Sequence, residues 1–241
     1  MANAVAKILG MGERIPRAEV RPLAGLASWM AGLIPQLNAF TRMLWAAVHA
    51  SGDFTIPLRQ VRTPLRWFAA LADESFGPLE RRCRRRAKHS VLITFDGSLS
   101  GGGATLQAGI TQFNEAHRQQ YISYWASEWT DDELRRIQVK RGDPAGQARV
   151  EALTLLHAVW TWSKVIREFA GSLAMMGDAL GVLHDATKFR ASAPILNSVM
   201  AEMALILAPM AHKLSAAINH SAHMQAHLLT FHLRRRRALL V

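Results

Sequence analysis

The stretch VLITFDGSLSGGGATLQ, residues 91–107, decides how this chain is read. It opens with five β-branched and apolar residues, the signature of a short buried strand. Asp96-Gly97 and Gly101-Gly102-Gly103 then punctuate it, and a partner strand is predicted over 104–107. Downstream, YISYW (121–125) reads as a third strand, and 128–146 as a charged, turn-rich connection ending in GDPAG. A long helix is predicted over 147–169, a strand over 172–177, helices over 179–189 and 195–211, and a weak strand near 214–218. This order, β-β-β-α-β-α-α-β, predicts an α/β fold with a mixed sheet.

Upstream the period is helical. Leu23, Leu26, Ala27, Met30 and Ile34 recur at helical spacing, as do Phe40, Leu44, Ala47 and Val48. A third short helix is predicted to open near Pro64. The joint DESFGP (73–78) and the basic run from Arg81 to Lys88 mark a boundary. The expected organisation is an N-terminal tail (1–20), a small helical segment (21–80), a basic linker (81–90), an α/β domain (91–220) and a basic tail (221–241).

With 241 residues, half of them hydrophobic and 20% charged, the chain can bury a large core and is not globally disordered. Its 29 Lys and Arg against 18 Asp and Glu give a net charge of +11, which favours a polyanionic partner, nucleic acid or an anionic surface. The single cysteine, Cys83, excludes an intramolecular disulfide and fits a reducing compartment, so an intracellular, cytoplasmic or nuclear setting is expected. No cleavable signal pattern is evident. Residues 22–41 carry no charge, but Pro35 interrupts them; two buried helices are expected and no membrane partner.

Three carboxylates could carry chemistry. Asp96 closes the first strand, Asp178 closes the later one, and Glu151 lies early in the long helix. Each has an ordinary alternative: a hairpin-turn dipeptide, a helix cap and a solvated helix charge. Glu151, however, shares a stripe with Leu155, Ala158 and Trp162, and an ionised group on an apolar stripe needs a partner or a cation. Strand-end carboxylates joined by one from a helix suit Mg²⁺, which takes hard oxygen donors.

These residues carry a resemblance. Residues 91–107 resemble the opening hairpin of the ribonuclease H domain of retroelement (retrotransposon-type) reverse transcriptases. GDPAGQARVEALTLLHAVWTW (142–162) resembles the helix that brings that family's glutamate, and residues 173–209 resemble its strand–aspartate–helix block. LAGLASWMAGLIPQLNAFTRMLWAAV (23–48) resembles the thumb or connection helices that precede it. The resemblance implies a ribonuclease H-like mixed sheet flanked by helices and preceded by a small helical segment. It implies an endonuclease hydrolysing the RNA strand of RNA–DNA hybrids with two Mg²⁺ ions, Mn²⁺ being an alternative. Asp96, Glu151 and Asp178 match three of the family's metal-binding carboxylates.

Two departures accompany it. The family takes a fourth carboxylate from its C-terminal helix, whereas no Asp or Glu follows Glu202 here, and the polymerase palm is absent. A catalytically inactive nucleic-acid-binding remnant is therefore one alternative, and a transposase- or integrase-type DNA-cutting core a second. His220, His223 and His227 read as part of an exposed tail, with metal binding as the alternative, and Cys83 as an ordinary exposed thiol. The runs 81–88 and 234–237 could grip phosphates or stay solvated. The seven tryptophans fall mostly on apolar helical stripes, where core packing is expected.

Overall fold

The computed structural model describes residues 1–50, 52, 54–71, 91–108, 121–168, 173–208 and 217–218. Cys83, the run 81–88, the histidines from His220 onward and the run 234–237 lie outside the described residues.

The first 71 residues form a helical layer: α1 (Ala2–Leu9), β1 (Arg14–Pro16), α2 (Arg17–Leu33), α3 (Asn38–Ala50), β2 (Thr55–Pro57) and α4 (Leu58–Leu71). The expected N-terminal tail is instead built structure. Val5 and Ile8 on α1 are buried, and β1 pairs antiparallel with β2, setting Ile15 against Ile56, both fully buried. Two apolar residues spaced three apart were enough to seat α1 against α4, a tertiary gain that eight residues of local sequence do not announce. The uncharged stretch breaks as expected, α2 ending at Leu33 and a 3₁₀ turn starting at Pro35. Among the described residues no helix is long and apolar enough to cross a membrane.

Helix α4 begins six residues before the predicted opening and keeps Pro64 in its interior. Proline there forfeits one backbone bond. The apolar face formed by Leu58, Val61, Leu65 and Phe68, all buried, holds the helix together across it. Trp67 stacks on Phe40 at 4.4 Å between ring centroids and ties α4 to α3.

The sheet comprises β3 (Val91–Gly97), β4 (Gly101–Ala108), β5 (Tyr121–Glu128), β6 (Leu173–Met176) and β7 (Ala217–Ile218), in the order β5-β4-β3-β6-β7. β3, β4 and β5 are antiparallel neighbours, while β6 runs parallel to β3 and β7 parallel to β6. Helices α5 (Asp131–Arg136), α6 (Gln147–Thr161), α7 (Ser163–Glu168), α8 (Leu180–Lys188) and α9 (Pro194–Leu207) are the helices of this part among the described residues. A mixed sheet flanked by helices and preceded by a helical segment is the architecture the resemblance implies. Two details differ from expectation. A helix, α5, sits in the supposed loop, its start fixed by a capping box between Thr130 and Glu133. The long helix turns at Trp162, dividing into α6 and α7.

On β3 the side chains alternate, Val91, Ile93 and Phe95 lying buried under α6, and β4 answers with Ala104, Leu106 and Ala108. α9 covers the outer side of α6 and meets α3 on its own far side. That junction is pinned by Asn197, 4% exposed, whose amide donates to the Ala39 carbonyl at 3.0 Å and whose side-chain oxygen accepts from Ala191 N–H. One continuous apolar core runs through both layers. Three tryptophans follow the core expectation, with Trp67, Trp129 and Trp162 buried, whereas Trp29 and Trp160 are each 69% exposed. Trp160 borders a hollow that it shares with Glu202 and Ile206 of α9, so its ring lies at the margin of the α6–α9 contact and not inside it.

Candidate active site

The hairpin after β3 is closed by Ser98 and Gly101, which exchange backbone hydrogen bonds around Leu99-Ser100. Asp96-Gly97 is therefore not the turn: Asp96 is the penultimate residue of β3, paired with Gly103. On the other side of β3, the parallel register pairs Thr94 with Met176. Continued two residues, it brings Asp178 opposite Asp96, on strands that run about 4.8 Å apart. Both aspartates are solvent-exposed at this edge. Asp178 does not cap α8; the residue before that helix is Ala179, which makes no side-chain cap.

Glu151 reaches the same place from above. A Cβ placed on Gly97 would stand 2.9 Å from Glu151 Cα and 2.6 Å from Thr154 Oγ1, so only glycine allows α6 to lie this close to the strand. Gly102 has the same role on β4, where a Cβ would meet Thr154 Oγ1 at 2.5 Å and the Trp129 ring at 2.6 Å. Glu151 is 6% exposed. Its Oε1 accepts from Gln147 Nε2 at 2.7 Å, and the same amide donates to the Gly97 carbonyl at 2.5 Å. Its Oε2 is buried with no hydrogen-bond partner.

The three carboxylates feel one another. Lost hydration pushes the Glu151 carboxyl above its ordinary value; the Gln147 hydrogen bond opposes this, and the charges of Asp178 and Asp96 add to it. Asp96 is raised as well, first by the protein packed around its carboxyl and then by Asp178, with the Gly97 backbone hydrogen bond opposing. Among the described residues no three His, Cys, Asp or Glu side chains converge tightly enough to hold a metal ion. In chemistry alone the three are hard oxygen donors of the class a divalent cation takes, and one of them, Glu151, has a buried oxygen without a partner.

Beside the carboxylates lies an open hollow of about 420 Å³ lined by Ser98, Leu99, Ser100, Arg141, Gly142 and Gln147. Arg141 is anchored in its wall, donating to the Trp129 carbonyl at 2.7 Å and to Asp131 Oδ1 at 2.9 Å. Trp129 in turn donates from Nε1 to the Ser98 carbonyl at 2.8 Å and braces the hairpin. Sequence reading missed Gln147, Thr154 and Arg141. Gln147 was within reach, because it precedes Glu151 by one helical turn, the spacing at which helix side chains meet. Arg141 carried no such signal.

No family model and no curated protein matches the chain. Among solved structures it is similar to foamy viral protease–reverse transcriptases. With the dRH form in complex with double-stranded DNA it shares 12% identity over 92% of this chain and 35% of that one, TM-score 0.31. With the complex holding an RNA/DNA hybrid the values are 11%, 93%, 28% and 0.30. With the CSH mutant of the prototype foamy virus protein they are 13%, 85%, 24% and 0.32. The chain thus spans well under half the length of these solved chains. Similarity at this level speaks to neither family nor activity, and the fold rests on the strand order and helix placement described above.

Proposed function

We propose that this chain carries a metal-dependent endonuclease site acting on the RNA strand of RNA–DNA hybrids. The observation that supports it best is the meeting of Asp96 and Asp178 by parallel register at one sheet edge, with Glu151 laid against Gly97 beside them. Asp96, Glu151 and Asp178 would hold the cation or cations, Mg²⁺ or Mn²⁺. Bound there, such ions supply an activated water and charge stabilisation for the leaving oxygen of a phosphodiester.

The chain's own residues prepare the site. Gln147 fixes Glu151 by one oxygen and leaves the other for a ligand. Gly97 and Gly102 let the helix approach closely enough for a helix carboxylate to reach the strand ends. Arg141, in the wall of the neighbouring hollow, offers positive charge for a substrate phosphate. The net charge of +11 favours the polyanion as a whole.

A second reading is a hybrid-binding protein without turnover. It is favoured by carboxylates that do not converge on one point among the described residues. Incubation of a labelled RNA–DNA hybrid with Mg²⁺ or with chelator separates the two. Mg²⁺-dependent loss of the RNA strand, falling at least about 100-fold in Asp96→Asn and Asp178→Asn, is the expected outcome. Binding without cleavage would favour the second reading, and cleavage that survives in Asp178→Asn would remove that residue from the site.

A further inference from the structure

We propose that the outward face of α4 is a second nucleic-acid contact, a track of arginines that grips the phosphodiester backbone away from the carboxylate edge. It rests on the nucleic-acid reading above. Arg59, Arg62 and Arg66 are all exposed and share about 60° of the helix circumference at 3.6 residues per turn. Gln60 and Thr63, also exposed, lie on the same side, so every polar group along it can donate a hydrogen bond.

Ordinary solvated helices mix their charges. α5 of this chain does so, with Arg135 and Arg136 both paired to Asp132. α4 holds no Asp or Glu, and none of its three arginines forms an ion pair with a described residue. The surrounding layer does not compensate: residues 1–71 carry eight Lys and Arg against three Asp and Glu, and Glu19 is already taken by Lys7 at 2.9 Å. Such a concentration of like charge repels itself and is relieved by a polyanion.

The spacing selects the anion. From Arg59 to Arg66 the helix rises about 10.5 Å, and one strand of a duplex presents a phosphate about every 3.4 Å of axis, so flexible guanidinium groups on this track can span several successive phosphates. A membrane surface fits less well, because the apolar side of α4 is buried in the core and offers nothing to insert.

The test is binding of a fluorescent RNA–DNA hybrid in chelator, titrated across a salt series. Four full-length proteins are compared: the natural chain, Arg59→Gln/Arg62→Gln/Arg66→Gln, the same three positions changed to Lys, and Lys164→Gln/Arg167→Gln/Lys188→Gln. The last removes three exposed charges elsewhere. The Gln track variant is expected to bind roughly 10- to 100-fold more weakly near 0.1 M salt and to lose about 2 to 3 from the slope of log affinity against log salt. The Lys variant should keep most of both. An unchanged slope in the Gln track variant, with the natural chain binding normally, overturns the track alone. An equal loss in the control set overturns it in favour of bulk charge. Loss of binding to phosphatidylserine vesicles but not to hybrid assigns the face to a membrane and overturns it too. No salt-sensitive hybrid binding by the natural chain would instead defeat the nucleic-acid reading from which the track follows.

Discussion

Helices α4 and α6 are nearly the same length and treat their polar residues in opposite ways. α4 buries only apolar side chains and sends every arginine into water. α6 is enclosed by β3 and β4 on one side and α9 on the other, and it buries Glu151 and Thr154 among Val150, Leu153, Leu155 and Val159. Thr154 meets the cost by donating to the Val150 carbonyl one turn back, at 2.8 Å. Glu151 meets only half of its own: its second oxygen is buried without a partner, and the charges of Asp178 and Asp96 act on the same carboxyl. A polar group on a one-sided helix reports on solvent; on a helix covered from both sides it reports on a site, because only a specific partner can offset its desolvation.

Five substitutions test this difference between the helices and the layers they belong to. Gly97→Ala should be the most damaging, because its Cβ would meet helix backbone and a buried side chain together. We expect a loss near the upper end of about 1–3 kcal/mol, read as a melting temperature lower by roughly 2–4 °C per kcal/mol. A neutral effect would mean that α6 does not lie so close to β3. Asn197→Ala, at the junction of the two layers, leaves the Ala39 carbonyl and the Ala191 amide short of a partner and should cost about 2 kcal/mol in denaturant unfolding.

Glu151→Gln should act in the other direction. The Glu151 and Asp96 carboxyls hold their protons more tightly in the folded chain than in the unfolded one. Just above the ordinary carboxylate range the folded state therefore carries more protons, and stability falls as pH rises through the raised values. In chelator at neutral pH, Glu151→Gln should stabilise by on the order of 1 kcal/mol, since it removes one of three repelling charges. The advantage should shrink toward pH 4, where the natural chain also becomes neutral there. A destabilised Gln variant at neutral pH would show that the charge has a partner after all.

On α2 of the helical layer, Gly25 has open space around its Cα, so Gly25→Ala should stabilise by about 0.5–1 kcal/mol through helix propensity, the reverse of Gly97→Ala. Smallest of all, Lys7→Ala removes a largely solvent-exposed pair with Glu19 and should shift stability by less than about 0.5 kcal/mol in thermal melts.

Much of this molecule was legible one residue at a time. The run 91–95, the apolar stripe beneath Glu151, the break at Pro35 and the carboxylate at each strand end are local patterns, and each maps onto the element it predicts. The misreadings share a cause. α1 looked like a tail because eight residues cannot show what they will pack against, and the start of α4 was set late because Pro64 is a breaker only where packing does not compensate. Trp29 and Trp160 sit on apolar helices whose covered side is chosen by neighbours.

Side-chain chemistry and the periods of strand and helix were enough to put Asp96 at the end of a short buried strand and Glu151 on an apolar stripe, and to make the chain strongly basic. Long-range packing adds that Asp178 stands opposite Asp96, that the second oxygen of Glu151 is buried without a partner, and that Arg141 lines the hollow beside them. The first of these depends on the register of β3 and β6, whose paired residues lie 82 positions apart in the chain. No local preference encodes a pairing over that separation; it comes with the packing of α6, backed by α9, against the sheet.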